Sequence, residues 1–399
     1  MRMTTRWFLF IMGAMVGLAG TLRGETEAVE VITLPREPVS ESLRREADAA
    51  MSRAMQWLIS RQHPEGYWST PDFPALTALP LWALIQGGSG DREAMNRAVS
   101  FLVSRVNEDG SICVVPTEMR RGGGLCNYNT AMSMVALHAW GDPEHIPIIQ
   151  QARHFVAAGQ HLGGDVYFGG MGYDADTGRA YADLSNSYVA YEAMRLTESV
   201  EDLRADMGQR ADLNWEAVVT FLERVQNLPG PHAQPWVTDD PNDRGGFVYT
   251  PEMSMAGSIT NEAGDIRLRS YGSMTYAGLL SFIYAEVDRN DPRVQAAFEW
   301  SLRHWNLDEN PGMGLQGLYY YYQTLAKALA TFGEEILHLE GDRAIAWREH
   351  LIRKLISVQQ VDPDSGGVFW VNSEGRWWEA DPVLVTSYTL LALAIALNL

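Results

Sequence analysis

Two pairs of arginines stand where an anion could be held. Arg120 and Arg121 lie in RRGGGLCNYN and Arg267 and Arg269 in DIRLRSYGS, each pair just ahead of an apolar helical stretch. Guanidinium forks beside helix N-termini match a phosphate or carboxylate. Loop salt bridges are the competing use, and no Walker-type spacing favours the anion. Tyrosines offer a second chemistry. Tyr319, Tyr320, Tyr321 and Tyr322 are consecutive and step round a helix by about 100° each, so at least one must face the inside of any helical assembly. Tyr188, Tyr191, Tyr271, Tyr276 and Tyr388 lie on similar apolar stretches. Aromatic faces can line a site for an apolar chain or stabilise a carbocation; packing between helices is the alternative. Carboxylates offer a third. Asp239, Asp240, Asp243, Asp362, Asp364, Glu374 and Glu379 occupy two long loops with Trp236, Trp370, Trp377 and Trp378. Glycan hydrolysis needs two carboxyl groups roughly 5 to 9.5 Å apart, and indoles would stack on sugars.

The chain has 399 residues, 46% apolar and 20% charged, enough for a large core in one big domain or two ordinary ones. Its formal net charge of -19 opposes contact with nucleic acid or an anionic membrane over most of the surface. Arg2 and Arg6 precede the apolar stretch from Trp7 to Gly20, which falls short of the ~20 residues of a membrane span and suits the core of an export signal. Residues 1–24 are therefore read as a signal peptide, cut after Ala19 or as late as Gly24, with a retained anchor as the alternative. The mature chain then carries no transmembrane segment and resides in a periplasm or outside the cell. In such an oxidising compartment Cys113 and Cys126 are more simply a disulfide than two free thiols. A metal site lacks C-x-x-C and H-E-x-x-H spacing, and His138 would lie about 18 Å along a helix from Cys126. No cofactor is implied.

Helices must position these groups. After an acidic, proline-containing linker (25–42), residues 43–399 repeat one pattern: an amphipathic helix, a Gly-rich loop, then a more apolar helix. The first helices read as Leu43 to Arg61, Arg92 to Val106, Ile146 to Gln160, Asn214 to Asn227, Pro292 to Trp305 and Asp342 to Gln360. The second begin at Leu76, Tyr128, Leu184, Tyr271, Gly317 and Pro382. Charged faces put the first set outside and the apolar set inside. The predicted fold is all-α, an (α/α)6 toroid of six outer and six inner helices, with an open superhelix as the alternative. The long loops ahead of the inner helices then gather at one mouth.

One loop carries a more specific pattern. RAMQWLISRQHPEGYW, Arg53 to Trp68, sets Gln62, Gly66 and Trp68 after a helix. It resembles the QW repeat of squalene and oxidosqualene cyclases, in the wider group that contains protein prenyltransferase β subunits. Partial copies follow in RAVSFLVSRVNEDGSI, ARHFVAAGQHLGG, AVVTFLERVQ and RKLISVQQVDPDSGGVFW, and the likeness covers roughly Leu43 to Leu399. Locally, Gly66 permits a left-handed turn and Trp68 can stack over the Gln62 amide, so the loop tryptophan is read as a structural clasp.

The resemblance implies a catalytic acid in a D-x-D-D segment opening an inner helix. The best match, Asp183-Leu184-Ser185-Asn186, has Ser185 where the acid is expected, and a serine hydroxyl cannot do the work of a tuned carboxylic acid. Asp176, in DADT ahead of Gly178, is nearer by letters but reads as turn chemistry. Asp183 and Asp176 are the candidates that remain. Prenyltransferase chemistry needs zinc from D-x-C and a distant His, and D-x-C is missing. The resemblance thus implies an apolar small molecule or isoprenoid lipid, bound or modified in the toroid lumen, with Tyr271, Tyr320, Tyr388 and the four arginines as contacts. A non-catalytic scaffold or binding toroid and a glycan-active (α/α)6 enzyme are the other readings.

Overall fold

The computed structural model describes residues 39–116, 123–174, 181–204, 208–261 and 263–399. The expected signal (1–24), most of the linker, Arg120, Arg121 and Asp176 lie outside the described residues. Among the described residues there are twelve α-helices, in two alternating kinds. The odd ones are α1 (Glu41–Ser60), α3 (Arg92–Val103), α5 (Ile146–Ala158), α7 (Trp215–Val225), α9 (Pro292–Arg303) and α11 (Trp347–Ser357). The even ones are α2 (Ala75–Gln86), α4 (Cys126–Trp140), α6 (Leu184–Leu196), α8 (Gly272–Tyr284), α10 (Leu318–Phe332) and α12 (Pro382–Leu397).

The odd helices bury one stripe, such as Ala47, Ala50, Met51, Ala54 and Leu58 on α1, as amphipathic surface helices do. The even helices are buried nearly all round; α12 buries all but its first residue and Ile395. Each even helix packs on the next, and α12 packs back on α2, so the succession of neighbours returns to its start. Odd helices lie against this set, α3 on α2, α5 on α4, α9 on α8 and α11 on α12. Side-chain caps fix several starts: Asp91, Asp183, Asn214, Asp291 and Asp381 each accept a backbone N–H from the first turn, satisfying donors that a helix leaves unpaired.

Three antiparallel hairpins interrupt the helical pattern: β1 (Ser258–Thr260) with β2 (Ile266–Leu268), β3 (Ile336–Leu339) with β4 (Arg343–Ala346), and β5 (Gln360–Val361) with β6 (Val368–Phe369). The second shortens the expected Asp342 to Gln360 helix to α11. Residues 343–346 pair with 336–339 instead, because Gly341 and Asp342 take positive φ and turn the chain back.

The odd-to-even loops are stitched by glutamines. Gln62 Nε2 donates to the Gly66 and Ala94 carbonyls at 3.0 and 2.9 Å. Gln160 does the same to Gly169 and Asn214, and Gln226 to Gly245 and Arg293. Each amide thereby ties its own loop to the start of the next odd helix. Gly66 has φ +92° and lies so near Arg97 that a Cβ would strike the Arg97 carbonyl. Trp68 is buried and donates its indole N–H to the Leu58 carbonyl at 2.7 Å, and Trp370 does likewise to Leu355 at 2.8 Å. The polar contacts of Gln62 run to backbone and to Arg97 on α3.

Candidate functional site

Helical spacing brings three groups of α6 onto one face: Ser185, Tyr188 and Glu192, at i, i+3 and i+7. Tyr320, Gln323 and Lys327 repeat the spacing on α10. Five of these six, Tyr188, Glu192, Tyr320, Gln323 and Lys327, surround a small interior cavity of about 10 Å³ together with Leu79 of α2, Tyr128 and Met132 of α4, Val189 of α6 and Tyr388 of α12. That volume is about one water molecule. Ser185 Oγ lies 3.4 Å from the Tyr320 hydroxyl, and the Tyr320 and Tyr388 rings meet edge to face at 6.0 Å.

The deep end of this space is ionic. Lys327 Nζ donates to Glu192 Oε2 at 2.8 Å and to the Tyr188 hydroxyl at 3.3 Å, and it stands 4.4 Å from the centre of the Trp82 ring. The Tyr284 hydroxyl donates to Glu192 Oε1 at 3.0 Å. Burial pushes the Lys327 ammonium down from its ordinary pKa, with the Glu192 carboxylate opposing that shift. Burial likewise pushes Tyr128 up to about 12 and raises Tyr320 and Tyr388. The phenols therefore stay protonated as hydrogen-bonding groups.

Asp183 is buried and occupied. Its carboxylate accepts from Asn186 N at 2.8 Å and Asn186 Nδ2 at 2.7 Å, capping α6. Burial raises its pKa to about 6, while hydrogen bonds from Asn186, Tyr181 and Tyr249 hold it down. Ser185, two residues on, is the group of this segment that meets Tyr320. The segment thus offers a hydroxyl to the interior and keeps its carboxyl at the helix cap.

Other expected contacts are committed elsewhere. Arg267 donates to the Pro235 carbonyl at 2.6 Å and pairs with Asp265, and Arg269 pairs with the buried Asp243 at 3.2 Å. Tyr271 is buried at the N-cap of α8. Tyr321 and Tyr322 donate to the Asn306 and Leu307 carbonyls, Tyr191 to that of Gly169, and the Tyr276 ring packs on Tyr321 at 5.7 Å. These four tyrosines hold helices and loops together. Cys113 and Cys126 are bonded, with Cα atoms 5.2 Å apart.

Asp362 and Glu379 among the loop carboxylates are tied to structural partners too. Asp362 accepts from Trp57 Nε1 at 3.0 Å and pairs with Arg61. Glu379 accepts from Tyr320 N at 2.8 Å and Asn372 Nδ2 at 2.6 Å, and burial raises its pKa to about 6. Trp236 and Trp370 are buried, whereas Trp377 and Trp378 are exposed at φ 56° and 68°. Trp378 meets Phe73 edge-on at 5.7 Å and Arg376 covers Trp377 at 4.3 Å. A larger groove of about 530 Å³ lies between the loop after α7 and α9, lined by Leu228, Pro229, Pro241 and Arg303 among others. It contains none of the expected site residues. Among the described residues no cluster of three His, Cys, Asp or Glu could hold a metal, and no helix is long and apolar enough to cross a membrane.

Tyr128, Glu192, Gln323 and Lys327 were not among the residues expected from sequence. For three of them the signal is a polar side chain on the face of an interior tyrosine, Gln323 and Lys327 at i+3 and i+7 from Tyr320 and Glu192 at i+4 from Tyr188, on helices otherwise apolar. A charged residue on an inner helix was legible as an anomaly, but its partner on another helix was not.

No family model matches the sequence, and no curated protein does. Among solved structures, the chain is similar to an arginine-to-alanine variant of the type II terpene cyclase MstE from Scytonema, in complex with its substrate geranylgeranyl dihydroxybenzoate. The likeness covers 90% of this chain and 99% of that one, at 13% identity and a TM-score of 0.50. It is a likeness of fold across nearly the whole chain: this protein is built on the helical fold of a type II terpene cyclase.

Proposed function

We propose that the chain is an exported (α/α)6 toroid that binds an apolar, isoprenoid-like molecule in its interior and does not start a cyclisation by protonating it. The return of α12 onto α2 supports a closed ring. The Cys113–Cys126 bond suits an oxidising compartment, and the arginines ahead of the apolar stretch suit an export signal. The aromatic interior of Tyr128, Tyr188, Tyr320, Tyr388 and Trp82 suits an isoprenoid chain, and the similar terpene cyclase is named with a geranylgeranyl substrate.

The observation that carries the non-cyclising part is the pairing of Ser185 with Tyr320 while Asp183 caps α6. Protonating an alkene takes an acid aimed at it, and the nearest carboxyl of this segment spends both oxygens on Asn186. A second reading, a scaffold with a filled interior, is favoured by the cavity of about 10 Å³. Under the first reading the interior tyrosines must part to admit a chain. Native mass spectrometry of the full chain with polyprenyl lipids and with oligosaccharides separates the readings. Retention of a lipid supports the proposal, retention of an oligosaccharide supports a glycan-active protein, and retention of neither supports the scaffold.

A further inference from the structure

We propose that the space beside Gln323 and Lys327 receives the oxygen of a neutral polar head, an alcohol or a ketone, at the end of the apolar ligand. The protein then selects an oxygenated isoprenoid over the bare hydrocarbon. This rests on the proposed binding of an isoprenoid-like molecule in the interior.

Gln323 is the first ground. It is only 3% exposed and lines the interior cavity, yet among the described residues its amide has no hydrogen-bond partner. Polar groups in apolar pockets usually fix the orientation of a ligand. An amide can both donate to and accept from a hydroxyl.

Lys327 is the second. Two of its three N–H donors go to Glu192 and Tyr188, and the ammonium otherwise stands over the Trp82 ring. Charge then chooses the head. Lys327 and Glu192 already neutralise one another, so a carboxylate or phosphate here would bring a second buried negative charge beside Glu192. A neutral oxygen adds none.

Size and direction agree. The cavity of about 10 Å³ matches one oxygen-sized group, not a chain. Lys327 lies seven residues beyond Tyr320, about 10 Å deeper along α10, so the tail runs from the polar end past Tyr320 and Tyr388 towards the start of that helix.

The test compares three probes with one C20 skeleton, phytane, phytol and phytanic acid, binding to the full chain by Trp fluorescence. The wild type should bind phytol on the order of tenfold more tightly than phytane, the ratio worth one hydrogen bond to a buried amide, and more tightly than phytanic acid. Gln323→Leu should bring the phytol-to-phytane ratio close to one. Gln323→Met serves if the leucine variant loses its circular dichroism spectrum. Equal affinity for all three probes, a preference for phytanic acid, or a phytol preference that survives in the variant overturns this inference and leaves isoprenoid binding standing. Binding of none of the three overturns both.

Discussion

Lys327 Nζ lies 2.8 Å from Glu192 Oε2, an ion pair buried between α10 and α6 in the interior of the protein. Such a pair stabilises little relative to apolar packing, but breaking it strands a charge. Lys327→Met should therefore destabilise the fold by about 3 to 5 kcal/mol, and adding Glu192→Leu should recover much of that loss. Urea unfolding of the two variants checks this. A Lys327→Met protein as stable as the wild type would mean that Glu192 is solvated.

Asp183 makes stability depend on pH. Its folded pKa is raised from 3.8 to about 6, so the folded state holds the proton more tightly than the unfolded one. Its contribution is then most favourable below pH 3.8, declines as pH rises towards about 6, and is flat above. Relative to wild type, Asp183→Asn should remove a decline of at most about 3 kcal/mol over that window. Unfolding curves measured at several pH values give the difference; parallel curves for the two proteins would contradict it.

The bond between Cys113 and Cys126 closes a short loop ahead of α4. Thiol titration of the denatured, unreduced protein should find no free thiol. Reduction should cost about 3 kcal/mol on the chain-entropy estimate. Two titratable thiols would refute the pairing.

Trp68 and Trp370 each donate an indole N–H to a carbonyl in the last turns of an odd helix, Leu58 and Leu355. Either one changed to alanine should destabilise the protein by roughly 3 to 5 kcal/mol, the range for a large buried aromatic. Ligand preference should stay the same. An unchanged melting temperature for both variants would remove the clasp role.

The helices were legible in the sequence because two signals agreed: charge on one face of each odd helix and its lack on each even helix. Gln62, Gly66 and Trp68 stood out in the sequence because a local motif depends on local spacing. The β3–β4 hairpin was not, since a few residues around Gly341 weigh little against a long amphipathic pattern. Of the tyrosine run, sequence could say that one member faces inward; only packing shows that it is Tyr320, with Tyr321 and Tyr322 turned to loop carbonyls. The meeting of Lys327 with Glu192, 135 positions apart in the chain, has no local signature. Sequence alone left Arg267 and Arg269 open between an anion and loop salt bridges, because their acidic partners, Asp265 and Asp243, are ordinary loop residues until folding places them.

Incubating the full chain with squalene, followed by gas chromatography of the extract, tests most directly whether a fold with Ser185 facing the interior and Asp183 held at a helix cap can start a cyclisation. The prediction is squalene recovered unchanged. A pentacyclic product that disappears in Asp183→Asn would contradict the account and make Asp183 the acid; product lost instead in Asp176→Asn would contradict it equally and move the acid to the loop before α6.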